Sequence, residues 1–411
     1  MPRDPLHGRP VLTATGRPRS SWLRVDLGLF IGAAGLSLVG VVLVWSATRA
    51  THGSGLALKQ LVAVAVGMAG AVAVTRLDGR IVRALAPVAW VVAVAGLVAV
   101  VSPLGTTVNG SRSWIRLPGG FTLQPSELMK VALAVGLAML LAERADRGLR
   151  QRHRDIALAW VVAGVPIVLV LAQPDLGSAV VLVAMAVVVI AAAGAPWPWT
   201  AGVIGLGVAG VVAAFTTTAL SGYQRNRLLA FLDPSLDPQG IGYQTRQVRL
   251  AIGSGGLSGQ GLFEGRQTQG GFIPFQETDF VFSVAGEELG FVGAVGLVLL
   301  IGFIVVRAAV VARRADAFGR LVTLGVAVWL GVQAFENVGM NLGLTPVTGL
   351  PLPFVSYGGS SMVAAWLAVG LVGNVAAATG PTGPTGPTGV RRARQARQAG
   401  HGAVSFGARR R

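Results

Sequence analysis

The feature that most constrains this chain is the recurrence of apolar stretches long enough to cross a bilayer. A helix spanning the hydrocarbon needs about 20 mostly apolar residues. Ten stretches answer to that rule, at roughly 26–46, 57–75, 82–102, 126–143, 156–172, 176–194, 199–220, 280–306, 321–342 and 354–378. Only 12% of the 411 residues are charged against 53% hydrophobic, too little charge to solvate a water-soluble domain of this size. The expected fold is an all-α integral membrane protein of about ten transmembrane helices, with both termini on one side. The first stretch has span length and follows 25 residues bearing five arginines, so it reads as a span and not as a cleaved leader.

Charge orients the spans. The 34 basic residues are 32 Arg and two Lys; 24 fall on the side of the termini, nine on the opposite side, and Lys130 lies inside the fourth span. By the positive-inside rule both termini are cytoplasmic. The net charge of +17 is then accounted for by topology and anionic lipid, so nucleic acid is not expected as a partner and membrane lipid is. Residues 1–25 read as a basic cytoplasmic tail and 26–378 as the membrane domain. Within 379–411, GPTGPTGPTG is too short for a collagen-type helix and reads as a linker to a basic, disordered cytoplasmic tail.

Two connections are long and lie outside: 103–125, and the large extracytoplasmic loop 221–279 between spans 7 and 8. Long loops of this kind tend to carry function. The chain has no cysteine and four scattered histidines, which excludes disulfides and thiol nucleophiles and makes a histidine metal site or a serine triad implausible. Chemistry must rest on Asp, Glu, Arg, Lys and hydroxyls. Helix-start signals recur at the outer face: Gln124-Pro125-Ser126-Glu127, Gln173-Pro174-Asp175, Thr278-Asp279 and Pro351-Leu352-Pro353. Several positive helix ends beside Arg112, Arg116, Arg225 and Arg227 would suit an anionic head group such as a pyrophosphate.

Asp233 and Asp237 each precede proline, which is turn chemistry. Asp279 sits where the polar loop meets Phe280-Val281-Phe282, and composition leaves two roles open: a base whose pKa burial raises, or an N-cap for span 8. Glu287 and Glu288 fall about two turns into span 8, Glu336 within span 9, and Lys130 one turn into span 4. Ionisable groups at such depth pair or line a cavity, so Lys130 is expected to pair with Glu127 or Glu288.

Four segments in order carry a resemblance: NGSRSWIRLPGGFTLQPSELMKVAL, QPDLGSA, the block from YQRNRLLAFLDP through TDFVFSVAGEELGFVG, and NVGMNLGLTPVTGLPLPFVSYGGSS. Over roughly 25–378 the chain resembles the SEDS family, the shape, elongation, division and sporulation proteins that include RodA, FtsW and SpoVE. YQRNRLLAFLDPSLDPQGIGYQ and AIGSGGLSGQG are closer to the RodA branch.

The resemblance implies a peptidoglycan glycosyltransferase that polymerises lipid II at the outer face of the bacterial cytoplasmic membrane during cell elongation or shape maintenance, with a class B penicillin-binding protein transpeptidase as partner. It places the family's essential aspartate on Asp279, with Thr278 beside it. Trp114, Glu127, Lys130, Asp175 and the run Ser356, Tyr357, Gly358, Gly359, Ser360, Ser361 match family motifs, whereas Glu277 stands where the family more often has histidine.

The chemistry is compatible with that reading. An α-linked donor and a β-linked polymer require inversion, hence one carboxylate base opposite the leaving group. Asp279 is the candidate base. Lys130, Arg116, Arg225 and Arg227 are candidates for the departing pyrophosphate, with Glu288 among the groups around the substrate. No cofactor or protein metal ligand is called for, although a divalent cation (Mg or Mn) bridging the pyrophosphate fits the chemistry. The rival reading is a lipid II flippase or other transporter, against which stands the gathering of polar residues at the outer face and not at the midplane. A third is a non-catalytic scaffold for a cell-wall complex.

Overall fold

The computed structural model describes residues 26–108, 111–216, 231 and 240–379. Arg225, Arg227, Asp233, Asp237 and both tails lie outside the described residues. In chain order the elements are α1 (Leu27–His52), α2 (Gly55–Arg76), α3 (Gly79–Val101), β1 (Gly105–Val108), β2 (Ser111–Leu117), β3 (Phe121–Leu123), α4 (Pro125–Asp146), α5 (His153–Ala172), α6 (Leu176–Ala192) and α7 (Trp197–Thr216). There follow α8 (Ile241–Ser254), α9 (Arg266–Gln269), α10 (Val281–Glu288), α11 (Gly290–Arg314), α12 (Ala317–Leu342) and α13 (Gly359–Thr379).

Among the described residues eight helices are long and apolar enough to cross a membrane: α1 to α5 and α11 to α13. Helix α6 is equally apolar but has 17 residues, and α7 runs to the edge of the described segment. The protein is therefore a multi-pass membrane protein. Helices α4, α12 and α13 are the most enclosed, whereas α3 and α5 turn most of their apolar surface outward, where lipid is the matching solvent. Lipid offers no hydrophobic drive between helices, so contact depends on close fit. Helix α13 meets α2 that way, with the Gly370 backbone pressed against Ala71 where a Cβ would collide. At the start of α1 its capping residue Asp26 pairs with Arg307 of α11 at 2.6 Å.

Two span boundaries need correction, and the first long connection is ordered. The connection 103–125 forms a three-stranded antiparallel sheet, Thr106 facing Trp114 and Arg116 facing Thr122. Alternating residues in a lipid-free segment with glycine turns satisfy their backbone groups by pairing with each other.

Span 8 does not begin at 280. The helix breaks after α10, and the spanning piece starts at Gly290, whose φ of +68° is left-handed. A Cβ there would strike the Gly259 backbone. Carbonyls and amides freed by the break find partners in the glycine-rich segment: Gln260 N donates to Glu287 O, Gly261 N to Glu288 O, and Phe291 N to Gly256 O, all at 2.9 to 3.1 Å. Non-helical backbone at a membrane face survives only when so satisfied. Glu287 and Glu288 thus belong to a short helix ahead of the span.

Span 10 likewise starts late. Residues 351–358 form an irregular segment, and α13 begins at Gly359.

Candidate functional site

The site is organised by one stripe of α12. Trp329, Gln333, Asn337 and Asn341 recur every four residues, so they share one helix face. All four are buried. Polar side chains enclosed in an apolar span must be bonded. Gln333 Oε1 accepts from Trp329 Nε1 at 2.7 Å and from Lys130 Nζ at 2.8 Å, while its Nε2 donates to Pro351 O at 2.9 Å. Asn337 Nδ2 donates to Leu350 O at 2.7 Å and to Asp279 O at 2.9 Å. Asn341 Nδ2 donates to Asp279 O at 3.2 Å, and its Oδ1 accepts from Ser283 N at 3.2 Å.

These bonds tie three segments to α12: the start of α4, the segment before α13, and the turn that carries Asp279. In the sequence the signal was the i, i+4, i+8 spacing of carboxamides inside an apolar stretch, a pattern that motif matching passes over.

Asp279 lies half-buried in a turn closed by Phe275 O, which accepts from Thr278 N and Asp279 N, both at 3.1 Å. Thr278 Oγ1 donates to the same carbonyl at 3.3 Å. The N-cap position of α10 falls on Phe280, and the helix amide Ser283 N donates to Phe280 O at 2.9 Å and to Asn341 Oδ1 at 3.2 Å. The helix that follows Asp279 is the short α10 and not span 8 itself.

The SYGGSS run is a junction. Tyr357 N donates to Glu277 O at 2.8 Å, locking the run to the Asp279 turn. Gln60 of α2 brackets it, donating from Nε2 to Ser356 O at 2.8 Å and accepting from Gly358 N at 3.2 Å. Ser356 Oγ accepts from Leu352 N, and Ser361 Oγ donates to Gly358 O. Ser360 Oγ, on the first turn of the Gly359-headed α13, accepts from Gln124 N at 2.9 Å and donates to Thr122 O at 3.1 Å, which joins α13 to the sheet and to α4. Burial and the nearby Glu277 carboxylate push the Tyr357 phenol above its usual pKa of 10, so it stays a neutral donor.

Lys130 pairs with Glu127 at 2.6 Å, not with Glu288, and both side chains are fully buried. Glu288 instead accepts from Ser46 Oγ at 2.6 Å and from Gln269 Nε2 at 3.2 Å, because the break at Gly290 turns α10 toward α1 and α9. Burial holds its carboxyl above the ordinary 4.5 despite those bonds. Its neighbour Glu287 accepts from Gln267 N, Thr268 N and Thr268 Oγ1 at 2.7 to 2.9 Å, capping α9 from a distance.

Asp175 is a true N-cap: Oδ1 accepts from Ser178 N at 3.0 Å, while Oδ2 takes Gln124 Nε2 at 3.2 Å and couples the starts of α4 and α6. On β2, Trp114 and Arg116 alternate onto the face opposite Ser113, which is buried with its hydroxyl toward Gln173 O. Trp114 is half-buried and Arg116 exposed. Arg225 and Arg227 lie outside the described residues. Among the described residues no group of three or more His, Asp or Glu side chains is placed to hold a metal ion.

Fold and site together define a polytopic membrane protein whose buried carboxylates, carboxamides and lysine gather at one end of the helix bundle. The chain matches the model of the cell cycle protein family of FtsW, RodA and SpoVE over residues 26–380. It is 38% identical over 360 residues to the probable peptidoglycan glycosyltransferase FtsW of Trichlorobacter lovleyi, covering 86% of this chain and 93% of that one. It is 32% identical over 375 residues to the peptidoglycan glycosyltransferase MrdB of Escherichia coli K12, covering 89% and 97%.

Two solved structures share the fold. A chain from a peptidoglycan synthase complex described as coordinating polymerization and crosslinking superposes with a TM-score of 0.72 at 35% identity, over 86% of this chain and 98% of that one. The rod shape determining protein RodA of Thermus thermophilus gives 0.65 at 32% identity, over 87% and 99%. The chain belongs to the FtsW/RodA/SpoVE family, the SEDS proteins.

Proposed function

We infer that this SEDS protein is a peptidoglycan glycosyltransferase, with Asp279 as the general base of an inverting transfer from lipid II. The observation that carries the assignment is the placement of Asp279: a half-buried carboxylate-bearing residue in a turn whose backbone is bonded on both sides, at the polar end of the bundle. In the reaction the acceptor's 4-hydroxyl oxygen bonds to the donor's anomeric carbon as the bond to the lipid pyrophosphate breaks. The hydroxyl proton passes to Asp279, the pyrophosphate leaves with the electron pair, and the configuration inverts.

Arg116 and the helix starts at that end supply positive potential for the leaving group. Lys130 acts at one remove, since its ammonium is engaged by Glu127 and Gln333. A divalent cation, where used, would neutralise charge developing on the pyrophosphate.

The reading extends to setting. The site end faces outward from the bacterial cytoplasmic membrane with both termini inside, and a class B penicillin-binding protein crosslinks the product. The RodA-like loop segments favour a role in elongation. Lipid II transport is the competing activity, and it is disfavoured by the gathering of buried polar groups in the turns nearest one end of the bundle.

The test is glycan polymerisation from lipid II by the purified protein, with and without the transpeptidase and with Mg or Mn, read as strand length on a gel. Wild type should make strands, and Asp279→Asn, which keeps size but not basicity, should make none while remaining folded. Normal strands from Asp279→Asn would sink the base assignment. Failure of wild type in every condition, together with lipid II movement across vesicles, would hand the protein to the transport reading.

A further inference from the structure

We propose that Asn337 and Asn341 are positioning residues that hold the Asp279 peptide in its reactive geometry, an inference that rests on reading Asp279 as the base. Both side chains are fully buried on α12, a spanning helix. Both aim an amide N–H at one atom, Asp279 O, at 2.9 and 3.2 Å. A carbonyl oxygen has two lone pairs, and here both meet a fixed donor. On its other side Asp279 N donates to Phe275 O at 3.1 Å. The Asp279 Cα is therefore pinned between two held peptide planes, which fixes the point from which its side chain extends.

The donors are themselves held. Asn337 Nδ2 also donates to Leu350 O at 2.7 Å and Asn341 Nδ2 to Asn337 O at 2.8 Å, so neither carboxamide can rotate without losing a second bond. Asn341 adds a contribution through Oδ1, accepting from Ser283 N at 3.2 Å and so fixing α10 relative to the same carbonyl. An apolar side chain of equal size would pack an apolar span at lower desolvation cost. Two carboxamides converging on one turn are what aligning a base requires, because catalytic gain depends on keeping the reacting group within a fraction of an ångström of its productive place.

The experiment measures kcat and KM for lipid II polymerisation, and thermal unfolding in detergent, for Asn337→Leu, Asn341→Ala and a control, Asn374→Leu. Asn374 of α13 also bonds a neighbouring helix end through its carboxamide, to Leu77 O at 2.7 Å and Val74 O at 3.0 Å, away from Asp279. Asn337→Leu is expected to lower kcat by about 10 to 100-fold with KM unchanged, the mark of a contact that matters for the reacting geometry and not for substrate binding. Asn341→Ala, which removes the longer bond, should lower kcat less. Asn374→Leu should lower the melting temperature and leave kcat in place.

Wild-type kcat in folded Asn337→Leu overturns the proposal, as does an equal loss of kcat in the control. If Asn337→Leu does not fold, Asn341→Ala decides on the same terms. Asp279→Asn, run alongside, keeps the two readings separate: full activity there removes the base, whereas inactivity there with normal Asn variants removes only the positioning role.

Discussion

Lys130 Nζ lies 2.6 Å from Glu127 Oε1 with neither side chain exposed to solvent, one helical turn into α4. Gln333 of α12 completes the ammonium's surroundings at 2.8 Å, and the Trp329 ring lies 5.7 Å away. This pair welds two of the most enclosed helices together, and through Gln333 Nε2 it reaches the Pro351 carbonyl ahead of the SYGGSS run.

Removing the cation alone should be costly. Lys130→Met leaves a buried carboxylate without its partner, with an expected loss of about 3–5 kcal/mol. The double variant Lys130→Met with Glu127→Met should recover most of it, since two apolar groups replace the pair. Thermal unfolding of the single and double variants in detergent checks this. A double variant as unstable as the single would contradict the account, and strand synthesis by a folded double variant would show that the pair acts through packing alone.

The pH dependence of stability should carry the mark of Glu288. Burial raises its folded pKa above 4.5, so its contribution to stability is fully present below pH 4.5 and is lost as pH rises through the folded value. Glu288→Gln, which does not titrate, should cancel that slope. The quantity to plot is the melting-temperature difference between wild type and variant from pH 4 upward. A difference independent of pH would rule the linkage out.

Glu287 should matter locally. Its carboxylate takes three donors from the start of α9, and Gln can offer only one oxygen to them while its amide faces N–H groups. Glu287→Gln is expected to cost about 1–3 kcal/mol. Amide exchange at 266–269 should accelerate far more than exchange in α12, and uniform exchange rates would show that the cap is dispensable.

Gly290 should tolerate no side chain. Alanine in the left-handed region costs about 1–2 kcal/mol by itself, and the collision with the Gly259 backbone adds to it. Gly302→Ala, in the middle of α11 with nothing close to a built Cβ, should be neutral or slightly stabilising. Equal melting temperatures for the two variants would count against the break as described.

Much of this molecule could be read from the chain. Span-length apolar runs forced a helical membrane protein because lipid satisfies no backbone group, so those segments had to bond internally. The motif QPSELMK placed Glu127 and Lys130 three apart on one helix face, and the expense of burying Lys130 alone called for a carboxylate partner; that the partner is Glu127 and not Glu288 was decided by the packing. Asp175 before Leu176-Gly177-Ser178 read as a helix start and is one.

What the chain alone left open depended on contacts between segments far apart in sequence. Span 8 looked continuous because nothing in the local pattern of GEELGFVG forbids a helix through Gly290. The break is stable only because residues 255–261 arrive to bond the freed peptide groups. Asp279 read equally well as a cap or a base because local sequence specifies the residue types at a helix start but not which remote side chain serves its amides. Asn341, 62 residues further on, provides one such acceptor and joins Asn337 on the Asp279 carbonyl. Periodicity, charge and helix starts are short-range properties that the sequence determined by itself; the site's geometry was decided by tertiary structure, because a buried carbonyl must find its donors wherever the packed bundle brings them.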